Sequence, residues 1–418
     1  MITHFGLQNF KAIKNFQELE IRPVTVLMGE NASGKSSLLQ AISLLTVNQM
    51  YGNDIRRIKY SNPFSNLGDG DTFKNHKEKL VLKFGLQEGA ITTNITLEYK
   101  DDANDWAYGL LEQINIVREN HFNAIIHYAP VEANYQIKLD SLNIQEKQFK
   151  FLTNIYHDIT INTNLKLVED FNCPTQNLVN HLKEISELGA IILKPLNILM
   201  SHLTAVRHLG NIKEVKSSYD YPNDYVGYFG ESYKEVAKHL KNTRFLRQAV
   251  RDIFDFEIKE IDKDTGNILL SLADKALKLA LFGSSISSTM PLLTQLAKIR
   301  ENADYVLTMV EEPEINLHPQ SQARIATYLF AKRKSKKHFV VVETHSDHIV
   351  NKLRHLVLQK LLPAKDVVLY YSARASEPFH KITLDSKGGF ISKEYQNQFP
   401  KGFFDATLSE VMELNLHG

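Results

Sequence analysis

Gly29-Glu30-Asn31-Ala32-Ser33-Gly34-Lys35-Ser36 constrains this chain more than any other stretch. It follows the apolar run Val24-Thr25-Val26-Leu27-Met28 and leads into Ser37-Leu38-Leu39-Gln40-Ala41-Ile42-Ser43-Leu44-Leu45, whose apolar positions recur at helical spacing. The order strand, glycine loop, helix is the one a phosphate-binding loop requires. Gly29 and Gly34 permit backbone angles that a Cβ would forbid, so successive N–H groups can converge on phosphate oxygens at the positive end of a helix. Lys35 would add a point charge to those oxygens, and the Ser36 hydroxyl would ligate Mg²⁺. The bland alternative, a chance match in a polar loop, loses ground as further parts of such a site emerge along the chain.

With 418 residues the chain can bury a large core and hold a main domain plus an inserted or appended one. Lys+Arg 49 against Asp+Glu 48 gives a formal net charge of +1, so any DNA contact must be a local patch. The single cysteine, Cys173, excludes an internal disulfide and an all-cysteine metal site and suits a reducing compartment. The start, Met1 to Leu7, lacks the pattern of a signal peptide. The longest apolar stretch, Ala190 to Met200, is interrupted by Lys194 and Pro195 and is too short to cross a bilayer. A cytoplasmic protein without membrane contact is expected.

Strands are expected at Ile2 to Phe10, Leu19 to Arg22 and before the glycine loop. Lys79 to Phe84 and Ile91 to Leu97 alternate around Gln87-Glu88-Gly89, as in an antiparallel hairpin. A polar loop, Asn53 to Asn75, lies between the first helix and this hairpin. The division expected is an N-terminal lobe over 1–99, an insertion over 100–205 with a helical tract from Gln176 to Ser201, and a C-terminal lobe over 206–418. Trp106 reads as a packing residue. Asp262-Lys263-Asp264 with Thr265-Gly266 reads as a turn rather than a metal pair.

Holding phosphates is not hydrolysing them; an acid for the metal and a base at a strand end are also needed. Tyr305 to Val310 is mostly apolar, as in a strand buried on both faces, and Glu311-Glu312-Pro313-Glu314 follows it. Glu311 is assigned to the metal and Glu312 to the general base, against the alternative of an acidic turn after a strand. Farther on, Lys337 to Val342 forms another apolar strand ending in Glu343-Thr344-His345-Ser346-Asp347-His348. A histidine at such an exit can hydrogen-bond a γ-phosphate or the attacking water, so His345 is the second catalytic candidate; Ser346 or Asp347 is a candidate helix cap.

Together these motifs, with Asn316-Leu317-His318-Pro319 between them, resemble the ABC-type ATPases of the RecF, SMC and OLD (overcoming-lysogenisation-defect) group. The resemblance implies an α/β fold. It would be a P-loop ABC-type ATPase head, a mixed sheet with helices plus N-terminal antiparallel strands, carrying an inserted α+β or helical subdomain. It makes Gly29 to Ser36 the Walker A loop, with Asn31, Ala32, Ser33, Gly34, Lys35, Ser36 and Ser37 on the nucleotide. Glu311-Glu312 becomes the Walker B pair, with Ser36 and Glu311 on Mg²⁺, and His345 the switch histidine. Asn9-Phe10-Lys11 is similar to the family's opening, which puts Lys11 on the nucleotide. Arg207 to Gly210, Val226 to Glu231 and Phe399 to Asp405 resemble stand-alone bacterial members.

Two departures stand out. The family has Asp where this chain has Glu311. Its signature loop is replaced by Lys278 to Pro291, with one glycine and several hydroxyls, of which Ser285 and Ser287 are assigned to the ATP of an opposite subunit. A Q-loop glutamine is not identifiable.

A signature loop supplied from a second copy implies a homodimer or higher oligomer sandwiching ATP and Mg²⁺. The stretch after His345 contains no Asp-x-Asp pair, so the Toprim nuclease of OLD proteins is not expected. Stand-alone ATPases of this kind resemble the ATP-dependent halves of anti-phage systems such as Septu or PARIS. The expectation is therefore an ATP-hydrolysing sensor that gates a separate effector, a nuclease or toxin. The alternatives are a RecF-like DNA-repair loader and a nucleotide-locked scaffold with little turnover. The run Lys332-Arg333-Lys334-Ser335-Lys336-Lys337 can contact a DNA phosphate backbone or form a solvated loop.

Overall fold

A computed structural model describes residues 1–50, 55, 57–60, 78–102, 108–119, 122–129, 134–142, 160–163, 194–210, 224–272, 275–299, 303–333, 335–374, 377–400 and 403. Trp106, Cys173, most of Asn53 to Asn75, Gln176 to Ile192, Tyr219 and Phe404-Asp405 lie outside the described residues. The chain forms two compact units, residues 1–20 with 40–204 and residues 21–39 with 205–418.

The first unit is built on antiparallel strands: β1 (Ile2–Gln8), β2 (Gln17–Glu20), β4 (Arg57–Lys59), β5 (Leu80–Glu88), β6 (Ile91–Asp101), β7 (Tyr108–Arg118), β8 (Phe122–Ala129), β9 (Asn134–Leu142) and β10 (Thr160–Thr163). Among the described residues they form one sheet in the order β10-β9-β8-β7-β6-β5-β1-β2, with β4 against β7. The expected hairpin pairs Leu80 to Glu88 with Ile91 to Tyr99 around Gly89, whose φ is +61°. Alternation makes this pairing stable: Leu80, Leu82, Phe84, Ile95, Leu97 and Tyr99 all turn to the buried face. The boundary expected at 99/100 falls inside β6, whose residues through Asp101 pair with β7. Residues 194–204 form a helix, α2.

The second unit holds β3 (Val24–Gly29) and the start of α1 (Lys35–Met50). Its other strands are β11 (Val206–Leu209), β12 (Glu257–Ile261), β13 (Ile268–Leu272), β14 (Lys275–Lys278), β15 (Val306–Glu311), β16 (His338–Glu343), β17 (Val367–Ser372), β18 (His380–Leu384) and β19 (Phe390–Ile391). The helices are α3 (Tyr233–Lys238), α4 (Arg244–Phe254), α5 (Ser284–Lys298), α6 (Pro319–Phe330) and α7 (Asp347–Leu358).

The main sheet has the order β11-β15-β16-β3-β17-β18-β19. It is parallel from β11 to β17, and β18 and β19 join antiparallel. Every residue of β3, β16 and β17 is buried, as near-continuous apolar runs in a sheet covered on both faces require. Helices cover one of those faces: Ile286, Met290 and Leu293 of α5, Ile325 and Leu329 of α6, and Ile349, Val350 and Leu353 of α7 share one core with Val24, Val26 and Val342. The fold of this unit is α/β, a mixed sheet with helices packed against it. Asp262 closes the β12–β13 turn, its Oδ1 accepting from the N–H groups of Asp264 and Thr265 at 2.8 and 3.2 Å.

The basic run is largely occupied. Lys332 pairs with Asp252 at 2.8 Å, Arg333 donates to the carbonyls of Pro23 and His338 at 3.3 and 2.7 Å, and Lys337 pairs with Asp304 at 3.4 Å. Arg333 thereby ties off the start of β16, a structural use of a charge that sequence alone leaves open to DNA.

Candidate nucleotide site

In a parallel sheet the loops after the strands gather at the carboxyl ends, where ligands of open α/β folds bind. Gly29 ends β3 with φ +141°, and a Cβ there would lie 1.9 Å from the Ser372 carbonyl oxygen of β17. Only glycine permits that approach, which Glu30 N–H completes by donating to the same oxygen at 3.2 Å. Ala32 and Gly34, at φ +62° and +98°, then turn the loop into α1. Asn31 and Ala32 are exposed on its lip, whereas Ser33, Gly34 and Ser37 are buried.

Lys35 is only 3% exposed and donates from Nζ to Gly29 O at 3.2 Å, Glu30 O at 2.7 Å and Ser33 Oγ at 3.4 Å. Burial lowers its pKa, opposed by the charges of Glu343 and Glu312. The lysine of the first loop and the acids of the later strands therefore share one electrostatic environment.

Glu311 and Glu343 stand at the same register on β15 and β16, and Glu343 is also in register with Leu27 of β3. Ser36 Oγ donates to Glu343 Oε1 at 2.8 Å. Burial, followed by the neighbouring Glu311 and Glu312, pushes the Glu343 carboxyl up to about 8, with Ser36 and Lys35 pulling the other way. Glu312 takes a left-handed φ of +46°, and its N–H donates to Glu343 O at 2.8 Å. Such a conformation in a non-glycine residue persists only where its surroundings enforce it.

His345 Nε2 lies 3.8 Å from Glu312 Oε1, and its backbone N–H donates to Glu314 Oε1 at 2.6 Å. Burial and the Lys35 charge hold its imidazole below the usual range, which keeps it neutral at pH 7. Ser346 caps α7, its Oγ accepting from Ile349 N–H at 3.2 Å.

Glu311 faces other partners. Tyr228 OH donates to its Oε1 at 3.1 Å, and His208 Nε2 lies 3.0 Å from the same oxygen. The two sequence fragments Arg207 to Gly210 and Val226 to Glu231 thus meet on this acid. Gly210 N–H donates to Tyr228 O at 2.8 Å, and a Cβ on Gly210 would strike the Tyr228 ring at 2.2 Å. Buried Gln295 of α5 fixes the loop by accepting from Val226 N–H and donating to Asp224 O, both at 3.0 Å.

Ser285 and Ser287 lie in the first turn of α5, after Gly283 at φ +87°. Ser287 Oγ donates to Gly283 O at 3.0 Å. The next hydroxyls, Ser288 and Thr289, line a pocket with Glu311 and Glu312. Lys11 belongs to the first unit, where its Nζ donates to Gln40 Oε1. The residue that sequence reasoning passed over is Glu343. Its signal was available: it closes an apolar strand, as Glu311 closes its own.

A glycine loop with a buried lysine, a hydroxyl beside strand-end acids and a histidine at the next strand's exit thus gather at the carboxyl ends of the parallel strands, the arrangement of a P-loop nucleotide site. The chain belongs to the AAA ATPase domain family, whose model matches residues 1–194 and 223–350. It is 23% identical over 190 residues to the DNA replication and repair protein RecF of Acholeplasma laidlawii, a match covering 44% of this chain and 50% of that protein. The chain thus matches about half the length of this curated relative. Among solved structures, the SMC head domain from Thermotoga maritima is 10% identical at a TM-score of 0.41, covering 90% of this chain and 97% of that one. An SMC head bound to the C-terminal winged-helix domain of ScpA is 12% identical at a TM-score of 0.45, covering 92% and 98%.

Proposed function

We propose that the chain hydrolyses Mg²⁺-ATP at the carboxyl ends of β3, β15 and β16 and that its nucleotide state gates a separate effector protein. The observation that carries this reading is the convergence of Ser36, Glu312, Glu343 and His345 beside the glycine loop, with Glu312, Glu343 and His345 able to bring one ligand atom each within 4.8 Å of one another. The hydroxyl and carboxylates form a hard oxygen set that fits Mg²⁺. A bound Mg²⁺ would supply positive charge to the phosphate oxygens. Lys35 and the loop N–H groups hold those oxygens. Glu312 takes the proton of the attacking water, and neutral His345 donates a hydrogen bond to the γ-phosphate.

Ser285 and Ser287, on the first turn of α5, serve the nucleotide of a second copy, so that ATP joins two chains and hydrolysis releases them. Resemblance to stand-alone ATPases with separate nucleases or toxins supports a role as an anti-phage sensor. The likeness to RecF favours a second reading, a DNA-repair ATPase.

Purified protein tests both. Wild type should turn over ATP, and Glu312→Gln should slow turnover by about 100-fold or more while retaining ATP and the dimer. Wild-type turnover no faster than that of the variant would leave only a nucleotide-locked scaffold. ATP-dependent binding to gapped duplex without any protein effector would decide for repair.

A further inference from the structure

Two acids are candidates for the metal position beside Ser36, and the geometry separates them. Glu311 directs Oε1 at Tyr228 OH and His208 Nε2, at 3.1 and 3.0 Å. Glu343 directs Oε1 at the Ser36 hydroxyl, at 2.8 Å. Its other oxygen, Oε2, is buried without a hydrogen-bond partner on a residue only 3% exposed. A buried carboxylate oxygen left in that state is costly unless a cation or donor answers it.

Strand order gives the same answer. β16 lies between β15 and β3, so Glu343 is one strand spacing, about 4.8 Å, closer than Glu311 to the strand that carries the glycine loop. Charge points the same way, because the acids that act on the Lys35 ammonium are Glu343 and Glu312.

We propose that Glu343 is the carboxylate that holds the divalent cation together with Ser36, and that Glu311 is a positioning residue anchoring the 224–230 loop. This rests on the Mg²⁺-ATP reading above and names the acid that serves it. The ligand class is a hard divalent ion, Mg²⁺ or Mn²⁺, accompanied by a nucleotide phosphate. Glu343 and Ser36 meet only through the fold, since β16 and the glycine loop are far apart in sequence.

The test is binding of a fluorescent ADP, mant-ADP, to the full chain in Mg²⁺ and in EDTA, a readout independent of turnover. Wild type should gain affinity when Mg²⁺ is present. Glu343→Gln keeps the shape and the Ser36 contact but loses the charge; it should cut that gain by about tenfold or more and leave binding in EDTA unchanged. Glu311→Gln should keep the gain. A gain abolished in Glu311→Gln and intact in Glu343→Gln overturns the proposal. Should Glu343→Gln fail to fold by its thermal melt, Glu343→Asp, with a shorter arm, should shrink the gain; an undiminished gain there overturns it equally. If wild type binds mant-ADP in neither condition, the ATPase reading itself fails. Wild-type binding with a gain unaffected at position 343 removes only the role of Glu343.

Discussion

Glu311 and Glu343 occupy the same register on neighbouring parallel strands, yet one carboxylate faces Tyr228 and His208 while the other faces the Ser36 hydroxyl. Two acids side by side in a buried sheet repel each other, and this repulsion, after burial, is what pushes the Glu343 carboxyl up to about 8. This splitting ties the loop over 224–230 to the strand ends and leaves Glu343 beside the phosphate loop.

Tyr228→Phe removes one donor from Glu311 and nothing else from the ring's packing. A buried hydrogen bond to a carboxylate is worth about 1–3 kcal/mol, so the variant should lose unfolding free energy in that range, read from a lower urea midpoint at unchanged slope. Nucleotide binding should change less than stability does. An unchanged midpoint would mean that Glu311 does not depend on this hydroxyl.

Lys35→Ala removes an ammonium held on Gly29 O, Glu30 O and Ser33 Oγ. Because burial already disfavours that charge, the nucleotide-free protein should lose little stability. ATP affinity should fall about tenfold or more, roughly 1.4 kcal/mol, and hydrolysis about 100-fold. ATP binding within twofold of wild type would remove the loop from the phosphate site.

The parts legible in the sequence were those set by local sterics and periodicity. Gly29 and Gly34 mark a backbone that side chains would block, and the apolar runs ending at Met28, Val310 and Val342 mark strands buried on both faces. Long-range partners left no such mark. Nothing in the spacing of His208, Tyr228 and Glu311 says that they meet, because strand order and loop path bring them together. Glu343 was visible as a strand-end acid, but its priority over Glu311 depends on β16 lying next to β3. The break expected near residue 100 missed the β6–β7 pairing because the strands of an antiparallel meander look alike on either side of it.

Gly29→Ala tests the local sterics. The added Cβ would lie 1.9 Å from the Ser372 carbonyl oxygen, on a backbone at φ +141°, between two strands of the central sheet. Neither neighbour is a flexible side-chain end, so β3 or β17 must shift. A loss of about 3 kcal/mol or more is expected, read as a fall in thermal midpoint together with loss of ATP binding. A midpoint equal to wild type would show that the β3–β17 approach is looser than described.

His338 gives a pH dependence that can be assigned to one group. It begins β16, is buried, and has Nε2 2.9 Å from Thr308 Oγ1 of β15. Burial, aided by the Arg333 guanidinium, lowers its pKa to about 3. In the unfolded chain a histidine titrates near 6.5, so between the two values the unfolded state binds a proton that the folded state refuses. Stability from this group is complete above about pH 6.5 and is lost as pH falls toward 3, with about 2 kcal/mol gone by pH 5. Urea unfolding at pH 7.5 and pH 5.0 should show wild type losing that much more than His338→Gln on acidification, since other titrating groups contribute equally to both proteins. Equal losses in the two proteins would mean that the imidazole is protonated in the folded state, and the strand start would then have to supply it an anionic neighbour.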